Sequence, residues 1–367
     1  MKARTTELWL SLASLVLALL GGEIAARKFL PPPYRVILQP SSPGTADNGR
    51  AMRSLHRADP LLGWVLRSDP MEYRHTLSDK NGIVQYDVIY SVQNGQRRTS
   101  LSAPGAHGST GAKSTEGPVV IAAGCSFTFG HALNDQDSWP WQLQESLPRY
   151  RVMNTADLGY GTDQALLAAE RQVNLSPGRA AAVILGFGDF QIERNRAPQG
   201  WLVFLYPFAK PLFAIGPDGV AVYRRQVRIW SPPVLSDSVL FAHTMNIAAN
   251  RVYGIVSHDG AQKLTAALIR TFAQRFQAAG ARLAVVMLPY AGDQDPQSHA
   301  DRGFLIENLR AAHIPTLTPD FPRLANGQLD VQRFMVTPLD KHPNREYNRL
   351  LVNQLAPFLR SSGIISE

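Results

Sequence analysis

The 367-residue chain has a single cysteine, Cys125, so it cannot form a disulfide within itself and the redox compartment stays open. Its histidines stand singly: there is no H-x-H, H-E-x-x-H or C-x-x-C pair, and neither a metal centre nor a cofactor is expected. Charge is also sparse. Asp, Glu, Lys and Arg make up 18% of the residues against 45% apolar ones, a balance that can fill a core and excludes a disordered chain. Lys and Arg outnumber Asp and Glu by 37 to 29, a net charge of +8, yet no run of five basic residues occurs and no aromatic residues interleave with them. That pattern argues against a nucleic-acid partner. The mild positive balance suits anionic lipid heads, an acidic glycan, or solubility alone.

Residues 1–30 stand apart. Lys2 and Arg4 precede a run from Leu8 to Gly22 that is apolar all round rather than striped. As a helix that run reaches about 22 Å at ~1.5 Å per residue, short of a ~30 Å hydrocarbon core. Ile24 to Ala26 nearly close the gap, with Glu23 at the far interface. A clean A-x-A cleavage site is missing. The expectation is an uncleaved signal anchor, a single-pass membrane helix that leaves the rest of the chain on the exported, periplasmic or extracellular side; a cleaved signal peptide and a buried core helix are the alternatives.

Residues 31–117 read as a stalk followed by a small β-rich accessory segment. Pro31 to Pro33 and the Ser/Pro/Gly-rich text after them give a stiff, then flexible, linker. "LGWVLRSDP" and "VQYDVIYSV" read as strands, and Asn94-Gly95 as a hairpin turn. The loop 102–117 lacks the spacing of a phosphate-binding loop, since Ala112 precedes Lys113 and no strand leads into it. From Pro118 to residue 365 apolar strands alternate with amphipathic helices, the rhythm of an α/β domain with a parallel sheet covered on both faces. Between about 197 and 260 the rhythm breaks, and that part reads as an insertion forming a cap or rim.

Ligands of open parallel sheets gather at the carboxyl ends of strands. Four segments fall there: Gly124-Cys125-Ser126, Asp157-Leu158-Gly159, Gly186-Phe187-Gly188-Asp189 and Asp340-Lys341-His342. A serine hydroxyl needs a base within hydrogen-bond reach, and the base needs an orienting partner. His342 is the candidate base and Asp340 its partner, with Pro343 suited to the first turn of a closing helix. Backbone N–H groups of Ser126 and Gly159 are candidates to hold a developing oxyanion. A thiol nucleophile at Cys125 fits the pattern less well. His131 reads as a polar residue beside a helix rather than a second base.

"GCSFTFG", "NTADLGYGTDQ", "GFGDF" and "DKHPN", in this order, resemble the SGNH, or GDSL-like, hydrolases. The resemblance covers roughly residues 118 to 360, with the insertion outside it. It implies a flavodoxin-like three-layer α/β sandwich and esterase chemistry with Ser126 as nucleophile, His342 as base, Asp340 as its partner and Gly159 in the oxyanion hole. Three departures stand out. Cys125 occupies the position of the family's Asp. Gly188 replaces an Asn that donates to the oxyanion, so Gly188 keeps only its backbone, and Arg194 or Asn195 just downstream are candidate substitutes. The Asp-x-His spacing is one residue shorter than usual, as in exported polysaccharide O-acetyltransferases of the same superfamily. The expected activity is hydrolysis of an acyl ester, with acetyl on an envelope glycan the leading guess. The alternatives are an O-acyltransferase using the same triad and a non-catalytic glycan-binding protein.

Overall fold

Strands in the second half of the chain are continuous apolar runs, as strands covered on both faces must be. A computed structural model describes residues 2–29, 54–100, 117–197, 208–227, 238, 240, 244, 257–290 and 295–366. The elements in chain order begin with α1 (Lys2–Phe29), β1 (His56–Asp59), β2 (Gly63–Leu66), β3 (Met71–Ser78), β4 (Val84–Gln93) and β5 (Gln96–Arg97). There follow β6 (Val119–Gly124), α2 (Ser126–Phe129), α3 (Trp139–Ser146), β7 (Arg151–Asn154), α4 (Thr162–Asn174), β8 (Ala180–Phe187) and α5 (Phe190–Asn195). The last are β9 (Lys210–Ile215), β10 (Ala221–Val227), α6 (His258–Ala278), β11 (Arg282–Met287), α7 (Pro296–Ala311), β12 (Thr316–Leu317), α8 (Val331–Phe334) and α9 (Arg345–Ser361).

Strands β12, β11, β8, β6 and β7 lie side by side in that order, all parallel. Side chains alternate between two cores. Val119, Ile121 and Ala123 of β6 pack with α4, α6 and α7, while Val120 and Ala122 pack with α3 and α9 on the other face. The result is three layers, helices on both sides of a mostly parallel sheet. Each Leu or Phe buried there contributes roughly 1.5–3 kcal/mol. From β6 the chain steps to β7 on one side and then crosses to β8 on the other, so the carboxyl end of β6 is a topological switch point, where such sheets hold ligands.

The β-rich segment is not set apart from this sheet. Arg97 of β5 pairs antiparallel with Asn154 of β7, and β4 and β3 follow, extending the sheet to eight strands. The Asn94-Gly95 turn forms as read, with both residues at positive φ (54° and 72°). The longest described part of the insertion is the β9–β10 hairpin. It packs on α6 through Phe213 against Phe272 and through the Ala221 N–H on Thr271. The stalk residues 31–53 and residues 102–116 of the loop before β6 lie outside the described residues.

Residues 2–29 form one helix, but among the described residues no helix is long and apolar enough to cross a membrane. Glu23 ends the apolar run of α1, and Arg27 and Lys28 follow. Leu12, Leu15, Val16, Leu17, Leu19, Leu20 and Ile24 are exposed. Glu23 accepts hydrogen bonds from the Ser238 hydroxyl and the Leu240 N–H.

Candidate active site

Ser126 opens the four-residue helix α2 directly after β6. Gly124, at φ 158°, lets the chain turn there: a Cβ on it would come within 2.2 Å of the Thr128 hydroxyl and 2.9 Å of the Gly186 carbonyl. Cys125 points into the core on the α3 and α9 face, so the thiol is buried away from the turn. The end of α2 is tied down by Asn154, whose amide donates to the Thr128 and Phe129 carbonyls, and by the His131 N–H on the Ser126 carbonyl. The buried guanidinium of Arg97 donates to the Phe129 and Leu133 carbonyls and to Asp135, and lies over the Tyr90 and Phe129 rings.

His342 and Asp340 sit on the loop before α9. The Val336 and Asn344 N–H groups donate across it to the His342 and Phe334 carbonyls. Asn344, not Pro343, starts the helix: its side chain caps the Tyr347 N–H, while Pro343 forms a bridge with Met335. An Asn side chain satisfies an orphan N–H and so makes the stronger cap. This loop brings the His342 ring to Ser126, with Nε2 2.9 Å from Oγ. On the other side of the ring Nδ1 lies 2.5 Å from Asp340 Oδ1, which also accepts the His342 N–H at 3.1 Å. Burial works to raise the Asp340 carboxyl, but the charge of His342 and hydrogen bonds from His131 and His342 outweigh it and hold the group well below the usual carboxylate range. Two distant parts of the chain, the serine turn and the loop before α9, therefore bring three residues into one row, the outer carboxylate ionised.

The oxyanion candidates fare differently. Gly159 sits in a turn at φ 79°, a conformation that favours glycine. Both flanks of that turn are bonded to Trp64 of β2: the indole N–H donates to the Leu158 carbonyl, and the Tyr160 hydroxyl donates to the Trp64 carbonyl. Among the described residues no group accepts the N–H of Gly159 or of Ser126. Gly188 offers no side chain, and a Cβ there would lie 2.4 Å from the Phe190 ring, so an asparagine would have to displace that ring. Asn195 corrects the expectation that it stands in for the missing amide. It is fully buried, its Nδ2 donates to Thr265 and its Oδ1 accepts the Asp163 N–H, because α5 turns it toward α4 and α6. Arg194 is likewise committed, to the Tyr160 carbonyl and the Phe190 ring face.

Phe127, Phe190 and Tyr290 form an aromatic wall beside the row, the Phe127 ring 5.3 Å from that of His342. Two more residues belong here: Tyr86, which motif reading passed over, and His131, which it read as a polar residue beside a helix. Tyr86 of β4 donates to Asp340 Oδ2 at 3.1 Å, and His131 Nε2 lies 3.5 Å from the same oxygen, its ring 4.5 Å from that of His342. Only the alternating pattern of β4 was visible for Tyr86, and nothing local links it to residue 340. His131, Asp340 and His342 offer donor atoms within 4.8 Å of one another, the one such group of metal-ligating side chains among the described residues.

No protein-family model matches the chain, and no curated protein does. Solved structures similar to it include proteins described as lipolytic G-D-S-L, GDSL-like lipase and SGNH-hydrolase family esterase. TesA is 15% identical at a TM-score of 0.40, covering 66% of this chain and 99% of that one. A putative lipolytic protein of the G-D-S-L family from Desulfitobacterium hafniense is 14% identical at a TM-score of 0.39, covering 66% and 99%. The psychrotrophic esterase EstA from Pseudoalteromonas is 11% identical at a TM-score of 0.38, covering 66% and 97%. Residue roles rest on the geometry above and not on these likenesses.

Proposed function

We propose that the chain is a serine ester hydrolase of the SGNH type. The observation that carries this reading is the row Asp340–His342–Ser126, with contacts of 2.5 and 2.9 Å. In this reading Ser126 Oγ attacks the acyl carbonyl carbon as His342 Nε2 takes its proton. The oxyanion of the tetrahedral intermediate is held by the N–H groups of Ser126 and Gly159. His342 returns the proton to the leaving alcohol, and water activated by the same nitrogen then releases the acid. Two backbone donors without a side-chain amide make a weaker hole, since one such donor is worth roughly 10²–10³ in rate. The substrate is a short acyl ester, acetyl first among them, on an envelope glycan. The apolar surface of α1 tethers the domain to a membrane on the exported side.

The aromatic wall supports a second reading, transfer of the acyl group to a sugar hydroxyl: rings beside the base shield the acyl-enzyme from water and offer faces to a sugar. One set of assays tests both readings. The full chain in detergent is given a chromogenic acetyl ester and a fluorophosphonate probe. Turnover and labelling are expected, with Ser126→Ala lowering turnover by about 10³-fold or more and abolishing the label. A wild type that does neither overturns both readings and leaves a glycan-binding protein. Acylated oligosaccharide formed on adding acceptor distinguishes transfer from hydrolysis.

A further inference from the structure

A triad carboxylate must do two things: stay ionised, and keep one oxygen aimed at the imidazole. Asp340 Oδ1 is occupied by the ring and backbone N–H of His342. That leaves Oδ2, a buried charged oxygen that is costly without donors. Tyr86, from the β3–β4 hairpin, and His131, from the loop after the serine helix, both reach it. Neither belongs to the four sequence blocks that delineate the site.

One proton arrangement satisfies the partners of this network, starting from an ionised Asp340 that can only accept. The Tyr90 hydroxyl accepts the Ala132 N–H at 2.9 Å and lies 3.3 Å from His131 Nδ1. A neutral His131 that bonds the ionised Asp340, which can only accept, carries its hydrogen on Nε2 and leaves Nδ1 to accept the Tyr90 proton. Tyr86 gives its single proton to Asp340, so it accepts from His75 Nε2 at 2.9 Å. His75 Nδ1 is buried without a hydrogen-bond partner, as befits a bare lone pair on a neutral ring. Burial lowers the His131 imidazole, and the nearby His342 charge lowers it further. A neutral ring is what the site requires, since an imidazolium 4.5 Å from His342 would oppose the charge that His342 takes up in catalysis.

Building on the hydrolase reading, we propose that Tyr86 and His131 are positioning residues of the reaction: together they hold the outer oxygen of Asp340 and so fix the plane of the carboxylate against His342. The hairpin β3–β4 is then part of the catalytic apparatus, supplying one donor directly and a second ring, His75, behind it.

The test uses the full chain in detergent with Tyr86→Phe, His131→Ala and His131→Gln. Tyr86→Phe removes one oxygen and keeps the ring; Gln at 131 retains an N–H near the position of Nε2. The first two substitutions are expected to lower kcat about tenfold with KM little changed, as for partners behind a directly acting group. Losing a donor leaves more charge on Asp340, which binds the His342 proton more tightly. The acid limb of kcat/KM therefore moves to higher pH in both, and His131→Gln recovers most of the rate and returns the limb toward the wild type. The ring-nitrogen NMR signal of His342, followed against pH, moves the same way whether or not the ester is turned over, so a failure of the hydrolase reading is seen separately as absent wild-type turnover and labelling. Tyr86→Phe and His131→Ala proteins that keep a native circular dichroism spectrum, the wild-type kcat and an unmoved His342 titration overturn the proposal.

Discussion

Asp340 accepts donors on both oxygens, and each end of its carboxylate sees only N–H or O–H groups. An amide in its place would turn an NH₂ toward one set of donors. Asp340→Asn is therefore expected to misassign the His342 tautomer and lower kcat by about 10⁴-fold with KM little changed, measured on the chromogenic ester; a loss under tenfold would mean that His342 orients itself. His75 carries a second residue-level consequence. Burial pushes its imidazole from 6.5 down to about 3. The folded chain holds the ring neutral while the unfolded chain titrates normally. The stability from His75 is thus complete above pH 6.5 and is lost as pH falls from 6.5 toward 3, because only the unfolded chain takes up the proton. The depressed Asp340 carboxyl acts in the same direction but in a lower window, below 3.8. Melting temperature against pH should fall more steeply below 6.5 in the wild type than in His75→Gln, and parallel curves would show that His75 is not buried as described.

At the scale of elements, β5 is two residues long yet joins the two halves of the sheet and places Arg97 under the serine loop. Its guanidinium pairs with Asp135 at 2.9 Å in the interior. Arg97→Met leaves that carboxylate and the Phe129 and Leu133 carbonyls short of a donor, at a cost of roughly 3–5 kcal/mol. Denaturant unfolding measures it, and Asp135→Asn in the same chain should recover part of the loss if the pair is coupled. Neither Arg97 nor β5 announces itself locally, whereas β6, β8 and β11 were legible as uninterrupted apolar runs ending at a glycine or proline. The serine, the histidine and the aspartate were legible for a similar reason: a hydroxyl after an unhindered glycine and an acid two residues before a histidine are local patterns. What was not legible depends on register between distant elements. Tyr86 lies on an evident strand, but its side chain meets Asp340 only because β4 pairs into the same sheet. The Asn195 expectation rested on nearness in sequence, and the rotation of α5 overruled it.

Across the whole molecule two surfaces contrast. The three-layer domain buries its apolar residues in the cores on either face of the sheet, while α1 exposes its own, Leu17 at 69% and Ile24 at 68%. Its described contacts include Ser238 and Leu240. Exposed leucines on a helix bind lipid in proportion to the apolar area buried, and the net charge of +8 adds attraction to anionic heads that salt weakens within a Debye length of ~10 Å at 0.1 M. The full chain is therefore expected to sediment with phosphatidylglycerol-containing vesicles more than with neutral ones at low salt, and the difference should shrink as salt rises. Leu17→Glu with Leu20→Glu should release it from both kinds of vesicle, because two charges then face the acyl chains. The same double variant should hydrolyse a soluble ester as the wild type does, since α1 lies outside the catalytic network. A variant that stays on the vesicles would mean that another surface holds the chain to lipid. One that loses soluble-ester turnover while folded would mean that α1 supports the site as well as the tether.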